Sequence, residues 1–304
     1  MESSQHTPLV SVIMNCFNGE EFLSEAIESV IGQTYQNWEV IFWDNLSVDN
    51  SAQIFKSFKD IRFKYFCAQK HTPLYEARNM AIERARGELI AFLDVDDIWV
   101  KNKLELQVPI FQNQNIGFSC GKYILINERK SKKLLKNVFA EENLPDGNVT
   151  NDLLGKYFIH VSTLMVRRAV LDRVPGPCDP RFNIIGDLDL AVNLSLISDF
   201  SPVQQSLAYY RWHSTNTGIA KAFSFCDEFD EWFLEKDLDK KINSLSGYLC
   251  LKNKNNWSKC IKAVYEGKKI EAIKLARKIN TRNKVKVWFG SLLPTCVIKK
   301  IIER

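Results

Sequence analysis

The first hundred residues alternate between short apolar runs and longer stretches with apolar residues at helical spacing. An apolar run that ends in polar residues predicts a strand buried on both faces, whereas a spacing of three or four predicts a helix with one buried face. Strands that alternate with helices predict βαβ units and a doubly wound, mostly parallel sheet. The predicted strands cover residues 9–15, 37–45, 61–66 and 87–93, and the predicted helices cover residues 20–31, 51–58 and 72–86.

Beyond Asp97 the pattern is less regular and predicts shorter elements. From residue 221 onward the spacing predicts helices only. Between these points we predict, in chain order, a strand at 118–127, a polar lysine-rich loop at 130–147, a strand running into a helix at 160–174, an irregular loop at 175–187, a helix at 187–197, and a strand with a polar loop at 201–218.

The composition is that of a folded globular protein, with 304 residues of which 45% are hydrophobic and 25% are charged. Eight cysteines are scattered without a CxxC pair or a Cys/His spacing that suits zinc, so we expect free thiols in a reducing cytoplasm. No window is apolar over the roughly 20 residues that a spanning helix needs. The polar N-terminus predicts no signal peptide.

Charge divides the chain into two parts. The net charge of +5 combines +9 in residues 268–304 with −4 in residues 1–267. Because the spacing changes to helices only at residue 221, we expect an α/β domain over residues 1–220 and a helical extension over residues 221–304, and the charge makes this extension basic. The end of this extension mixes lysine with large apolar residues, which fits either an interfacial helix on anionic lipid or a helical cap on the main domain. It carries no nucleic-acid-binding motif, so we expect no nucleic acid partner.

The most informative segment is GELIAFLDVDDIW, residues 87–99. Its apolar run predicts the middle strand of the sheet, and Asp94, Asp96 and Asp97 follow directly. Ligands bind at the carboxyl ends of strands in such sheets, and clustered carboxylates repel one another unless a cation or a shared proton intervenes. Capping of a helix would explain Asp97 alone. The three acids together predict a metal or catalytic site.

Two further polar segments follow predicted strands, namely Asn15-Cys16-Phe17-Asn18 and Asp44-Asn45. Taken singly, each could be an ordinary turn. In a parallel sheet they would converge with the acids on one edge, which favours a shared site.

The segment FLDVDD also fits the signature of haloacid-dehalogenase-like phosphatases, with Asp94 as nucleophile and Asp96 as acid. That family usually has Thr or Val where Asp97 stands. It also expects a later Gly-Asp-x-x-x-Asp, in which Ala191 occupies the final position here. Both departures weigh against a phosphatase.

A second resemblance covers more of the chain. The segment from VSVIMNCFNGEEF through WDNLSVDNS, followed by EARNMAIERARGELIAFLDVDD, resembles inverting family 2 glycosyltransferases with the GT-A fold. The similarity is nearly continuous over residues 9–107, which would be the nucleotide-sugar-binding half, and continues at GDLDL and YRWHSTN. Residues 108–220 would be the acceptor half.

The resemblance assigns roles to individual residues. Asp96 would hold Mn²⁺ or Mg²⁺ against the donor diphosphate, with Asp94 helping through the ribose or a metal-bound water, and His213 in YRWH is a further candidate ligand. Asp44-Asn45 stands where the family often has Asp-Asp facing the nucleobase. The residues implied in nucleotide-sugar binding are Asn15, Phe17, Asn18, Asp44, Asn45, Arg78, Asp94, Val95 and Asp96.

Asp187 falls where the family commonly has a Glu-Asp pair whose Asp is the general base. Gly186 replaces the Glu, and Asp189 is a rival base. A carboxylate within hydrogen-bond reach is needed because an acceptor hydroxyl is a poor nucleophile near neutral pH. Tyr75 and Trp99 are candidates for the border of the sugar pocket.

The resemblance thus implies transfer of a sugar from a UDP, dTDP or GDP sugar to the hydroxyl of a glycan or lipid-linked acceptor, in cell-surface polysaccharide or glycoconjugate synthesis. The expected location is the cytoplasm, with the basic helices resting on the inner face of the membrane. Two alternatives stay open, namely a polyprenyl-phosphate sugar synthase, which needs no hydroxyl base, and a non-catalytic nucleotide-sugar-binding module.

Overall fold

The computed structural model describes residues 7–127, 133–138, 142–213 and 224–277. The chain forms two compact units, one made of residues 1–150 and 158–216 and the other of residues 151–157 and 217–304. Within the described ranges, no helix combines the length and the apolar character that crossing a bilayer would require.

The first unit contains the strands and most of the short helices. Its strands are β1 (Val10–Cys16), β2 (Trp38–Asp44), β3 (Phe63–Cys67), β4 (Leu89–Phe92), β5 (Ile98–Trp99), β6 (Ile116–Ser119), β7 (Gly121–Asn127), β8 (Lys133–Val138), β9 (Met165–Arg167), β10 (Asp199–Phe200) and β11 (Val203–Trp212). Its α-helices are α1 (Leu23–Ile31), α2 (Ser51–Ser57), α3 (Leu74–Arg84), α4 (Lys103–Gln107), α6 (Arg168–Leu171) and α7 (Gly186–Ser195), and 3₁₀ helices span Val108–Gln112 and Val161–Thr163. Helix α5 (Thr150–Gly155) belongs to the second unit except for its first residue.

Strand β4 is the middle strand of a seven-stranded sheet ordered β10-β6-β9-β4-β1-β2-β3. It pairs with β1 in parallel, and β1, β2 and β3 continue the parallel arrangement. All four residues of β4 and all seven of β2 are buried, as expected for strands covered on both faces. The predicted α/β architecture and the central position of the strand before the acids are confirmed.

A second, four-stranded sheet is ordered β5-β11-β7-β8. The prediction of one strand at residues 118–127 was wrong, because the chain leaves the first sheet after β6, passes through Cys120 and enters the second sheet as β7. The prediction of a loop throughout residues 130–147 was also wrong, since β8 pairs with β7 in antiparallel fashion. An edge strand tolerates lysines, so polarity alone did not reveal it.

The second unit contains helices α8 (Ser224–Lys236), α9 (Lys240–Asn243), α10 (Ser246–Tyr265) and α11 (Lys269–Ala276). Gly247 lets α10 approach α5, because a Cβ at this position would lie 2.1 Å from the carbonyl oxygen of Asn151. The predicted basic helix near the C-terminus lies outside the described residues.

Lys103 in α4 is fully buried, which is unusual for an ammonium group. Its Nζ donates to Oε1 of Gln107 over 2.6 Å and lies 4.2 Å from the centre of the Trp99 ring. Burial lowers the pKa of Lys103 to about 7. The unfolded chain therefore keeps this proton to a higher pH than the folded chain does, and the free energy of unfolding rises with pH above about 7.

We expect Lys103→Met to stabilise the protein most at pH 7 and progressively less towards pH 10. The difference in unfolding free energy from wild type should shrink by at most about 1.4 kcal/mol per pH unit. Urea unfolding at each pH measures this difference, and Lys101→Met is the matched control because Lys101 is exposed. A difference that does not change with pH would contradict the buried, neutral state of Lys103.

Candidate active site

Three aspartates follow β4 in a tight turn, and their carboxylates converge. One carboxylate oxygen from each of Asp94, Asp96 and Asp97 lies within 4.8 Å of the others. The Asp97 N–H closes the turn by donating to the Asp94 carbonyl oxygen over 3.0 Å. The turn therefore gathers the acids at the carboxyl edge of the sheet, where ligands bind in folds of this class.

Asp97 is buried and its carboxylate is occupied by protein groups. It accepts hydrogen bonds from Oγ of Ser162 over 2.6 Å and from the Arg211 N–H over 3.1 Å. Burial and the neighbouring Asp96 and Asp94 raise the pKa of Asp97 well above its usual range. We therefore interpret Asp97 as the residue that anchors the turn. Ser162, which the sequence did not indicate, also accepts a hydrogen bond from the Asp94 N–H over 3.2 Å.

Asp94 and Asp96 are the partly exposed members, with 39% and 28% of their side chains accessible to solvent. The partial burial of Asp94 raises its pKa to about 7, and the Asp96 carboxylate adds to this effect while Arg78 opposes it. Crowded carboxylates of this kind gain from a bound divalent cation, and their oxygens suit Mg²⁺ or Mn²⁺. The donor set thus fits the predicted metal, and Asp94 and Asp96 could hold it.

Arg78 in α3 connects this cluster to Asp187 in α7. Its Nη1 donates to Oδ1 of Asp187 over 2.7 Å, and its Nη2 donates to Oδ1 of Asp94 over 3.2 Å. Burial disfavours the charge of Arg78, but the two carboxylates outweigh burial and raise its pKa. The guanidinium therefore stays charged and holds two carboxylates from distant parts of the sequence in one site.

Tyr75, one turn before Arg78 in α3, fixes the position of Asp187 from a second side. Its hydroxyl donates to Oδ1 of Asp187 over 3.1 Å and accepts from the Asp187 N–H over 3.2 Å. The Tyr75 ring lies against Gly186, where a Cβ would come within 2.5 Å of the ring. This packing explains why Gly186 stands where the family commonly has Glu.

The two candidate bases on α7 have different surroundings. The side chain of Asp187 is 25% exposed, and both of its hydrogen bonds from Tyr75 and Arg78 go to Oδ1. Within the described part of the chain, Oδ2 accepts no hydrogen bond. Asp189 is buried and accepts a hydrogen bond from Nδ2 of Asn193 over 3.0 Å. Residues two apart on a helix point to different sides, so only Asp187 joins the Arg78 cluster.

Asp44 ends β2 and Asn45 follows it, at the same edge of the sheet. Asp44 accepts hydrogen bonds from the Ser47 N–H over 2.8 Å and from the Tyr65 hydroxyl over 2.7 Å. The Asn45 amide donates to the carbonyl oxygen of Thr72 over 2.8 Å and accepts from the Thr72 N–H over 3.2 Å. Asn45 thereby fixes the loop before α3, which explains an amide at this position.

The segment after β1 lies beside the end of β2. The side chain of Asn18 accepts from the Val48 N–H over 2.9 Å, and the half-exposed ring of Phe17 lies 4.3 Å from the ring of His71, centre to centre. Nδ2 of Asn15 is buried and has no hydrogen-bond partner among the described residues. An unpaired buried donor is costly in a folded protein, so Asn15 offers a donor that a bound ligand could use.

Two further residues that the sequence singled out, Val95 and Trp99, pack against other parts of the protein. Val95, between the two acids, packs so closely on Gly19 that a Cβ at Gly19 would lie 2.8 Å from its methyl group. Trp99 is buried, and its indole N–H donates to the carbonyl oxygen of Ser162 over 2.6 Å. Trp99 therefore binds Ser162, the residue that also binds Asp97, and is too buried to border a sugar pocket.

His213 reaches the acid cluster from the end of β11. Its Nε2 lies 3.0 Å from Oδ2 of Asp96. Arg211, two residues earlier, donates from Nε to the Asp96 carbonyl oxygen over 2.9 Å and from Nη2 to Glu25 over 2.7 Å. Sequence reasoning missed Arg211, although its place in the YRWH segment offered a signal.

Known proteins resemble this chain in sequence and in fold. Residues 11–174 match the sequence profile of Glycosyl transferase family 2. The chain is 37% identical over 169 residues to the Escherichia coli UDP-Glc:alpha-D-GlcNAc-diphosphoundecaprenol beta-1,3-glucosyltransferase WfgD, covering 56% of this chain and 64% of WfgD. It is 34% identical over 216 residues to the E. coli enzyme of the same description, WfaP, covering 70% and 81%. It is 33% identical over 240 residues to TuaG of Bacillus subtilis, covering 77% and 89%.

Solved structures share the fold at low sequence identity. S. aureus TarS 1–349 in complex with UDP-GlcNAc has a TM-score of 0.67 at 15% identity, covering 97% of this chain and 91% of TarS 1–349. The mannosyltransferase PcManGT from Pyrobaculum calidifontis, in complex with GDP-Man and Mn²⁺, has a TM-score of 0.61 at 14% identity, covering 99% and 89%. These likenesses establish the GT-A fold. The matched profile and the curated relatives show that the chain belongs to glycosyltransferase family 2.

Proposed function

We propose that this protein is a metal-dependent, inverting glycosyltransferase that moves one sugar from a nucleoside-diphosphate donor to an acceptor hydroxyl. The observation that carries the proposal is the bridge formed by Arg78. One guanidinium binds Asp187, the proposed base, and Asp94 of the acid cluster, at 2.7 and 3.2 Å. Base and diphosphate site are thereby held at a fixed separation, as direct displacement at the anomeric carbon requires.

Asp187 is the proposed general base. Arg78 and Tyr75 occupy its Oδ1, which orients Oδ2 to accept the proton of the acceptor hydroxyl. As that proton leaves, the hydroxyl oxygen bonds to the anomeric carbon, and the bond from this carbon to the diphosphate oxygen breaks. A single displacement with attack opposite the leaving group inverts the configuration.

Asp96 and Asp94 are the proposed metal ligands, with His213 as a further candidate beside Asp96. A Mn²⁺ or Mg²⁺ ion held by these carboxylates would neutralise the negative charge that develops on the leaving diphosphate. The partial exposure of both side chains supports this role, because substrate must reach the ion.

The other predicted residues form the proposed nucleotide-sugar site at the ends of β1 and β2. We propose that residues 9–107 bind the donor, that residues 108–220 bind the acceptor, and that residues 221–304 form a helical extension. The names of WfgD and WfaP support a lipid-linked glycan acceptor and a role in cell-surface polysaccharide synthesis. An acceptor of this kind would place the protein at the inner membrane face, with the basic C-terminal segment in contact with lipid.

The two alternatives predict different behaviour. A polyprenyl-phosphate sugar synthase transfers the sugar to a phosphate, which needs no base. In such an enzyme, the hydrogen bonds that position Asp187 would have no role in catalysis. A non-catalytic module would bind donor without turnover. The set of a positioned carboxylate and two metal-binding acids favours catalysis over both.

A thermal-shift panel with UDP, dTDP, GDP and CMP, each with and without Mn²⁺, tests the donor class. We expect one diphosphate to raise the melting temperature only when Mn²⁺ is present, because the metal links the diphosphate to the acids. The corresponding sugar nucleotides then identify the sugar. If no nucleotide shifts the melting temperature under any condition, the proposal is contradicted.

A further inference from the structure

Three aromatic rings form a cluster on the acceptor half of the first unit. Tyr123 on β7 and Tyr210 on β11 lie edge to face, with ring centres 6.0 Å apart. His160 lies against both, with its ring centre 4.8 Å from Tyr123 and 4.6 Å from Tyr210. We call these three residues the aromatic platform. All three are partly exposed, so a ligand can reach them.

The platform adjoins the acids of the proposed active site. Nε2 of His160 lies 3.7 Å from Oδ2 of Asp97. Tyr210 immediately precedes Arg211, whose backbone N–H binds the same Asp97 carboxylate over 3.1 Å. A ligand on the platform would therefore lie next to the metal-binding turn, on the side built from residues 108–220.

Trp212 extends this surface. Alternate residues of a strand point to the same face, so Trp212 lies on the face of β11 that carries Tyr210. Trp212 is 38% exposed. The intervening Arg211 is buried and points to the opposite face, where it binds Glu25. The Trp212 ring thus extends the aromatic surface away from the acids.

The platform is uncharged at neutral pH. Burial lowers the pKa of His160 to about 4 and raises that of Tyr210 to about 12. The two arginines nearest the acids, Arg78 and Arg211, are engaged by carboxylates. Such a surface suits a neutral ring with C–H bonds on its face, because aromatic faces are electron-rich and attract weakly positive hydrogens. It offers little to a phosphate.

We propose that Tyr123, His160 and Tyr210 form the acceptor subsite, on which a neutral pyranose ring stacks so that its hydroxyl faces Asp187. The inference rests on the proposed function and names the acceptor class within it. The acceptor is recognised by a sugar ring and is glycosylated on a hydroxyl, which distinguishes this protein from an enzyme that glycosylates a lipid phosphate.

The test compares Tyr210→Leu and Tyr123→Leu with Tyr210→Phe and Tyr123→Phe. With the sugar nucleotide that the donor panel selects, transfer is measured to octyl α- and β-glycosides of glucose, galactose and their N-acetylated forms, and to farnesyl phosphate. We expect the Leu variants to raise the KM for the best glycoside about tenfold and the Phe variants to retain it, while the donor KM stays constant. Tyr209→Leu, on the other face of β11, is the matched control.

Thermal melting of each variant shows whether it folds. If the Leu variants bind the glycoside as well as wild type does, the platform is overturned while the proposed function stands. Preferential transfer to farnesyl phosphate by the wild type would contradict both the platform and the proposed transfer to a hydroxyl. Failure of the wild type to hydrolyse or transfer from any sugar nucleotide would instead contradict the proposed function itself, and the platform with it.

Discussion

Asp187→Asn is expected to lower kcat for sugar transfer by roughly 10² to 10⁴-fold, the range typical of a lost general base. The amide keeps the shape of the carboxylate and can still accept hydrogen bonds from Tyr75 and Arg78 at its oxygen. It cannot take up the proton of the acceptor hydroxyl at neutral pH. The effect should therefore appear in kcat, with the donor KM little changed.

Initial rates at saturating donor and acceptor measure this effect. Thermal melting shows how much stability the protein loses when Arg78 is left with one carboxylate partner fewer. The matched control is Asp189→Asn, since Asp189 lies two residues along the same helix, is buried and binds Asn193. The control should retain kcat near that of wild type. If Asp189→Asn abolishes transfer and Asp187→Asn does not, the base is misassigned.

Asp96→Ala is expected to reduce kcat/KM for the donor by about 100-fold or more, because the diphosphate would lose the charge neutralisation that the proposed cation would supply. The substitution also removes the contact with His213 at 3.0 Å. In the wild type, the Mn²⁺-dependent thermal shift with the selected nucleotide should disappear on addition of EDTA and return with excess Mn²⁺. In Asp96→Ala, excess Mn²⁺ should produce no shift.

Asp172→Ala is a matched control for this experiment, because the side chain of Asp172 is 62% exposed and pairs with Arg168 on the surface. A surface ion pair contributes little to stability, so this variant should bind donor and metal as wild type does. A metal-dependent shift that survives in Asp96→Ala would contradict the assignment of Asp96 as a metal ligand.

Several elements could be predicted from the sequence because local pattern and final environment agree. The apolar run before Asp94 is buried on both faces, and its central place in the sheet follows from that burial. Other elements depend on partners far away in sequence. β8 exists because β7 offers it a hydrogen-bonding edge, and a lysine-rich segment gives no local sign of such a partner.

The site shows the same division. Asp94, Asp96 and Arg78 were indicated by motifs, whereas the contact between Arg78 and Asp187 joins residues 109 positions apart and depends on how α3 and α7 pack. Gly186 was an unexplained departure in sequence. In the structure, the absence of a side chain at Gly186 leaves room for the Tyr75 ring.

The sequence by itself determined the α/β class, the strand that delivers the acids and the residue types that suit a cation beside a diphosphate. These follow from periodicity and from the chemistry of neighbouring residues, which are local properties. Only the tertiary structure decided that Asp187, and not Asp189, contacts Arg78. It also decided that Ser162 donates a hydrogen bond to the Asp97 carboxylate. The contacts among the rings of Tyr123, His160 and Tyr210 likewise depend on it. Such contacts arise from the packing of distant segments, and the direction in which a side chain points is set by that packing rather than by its neighbours in sequence.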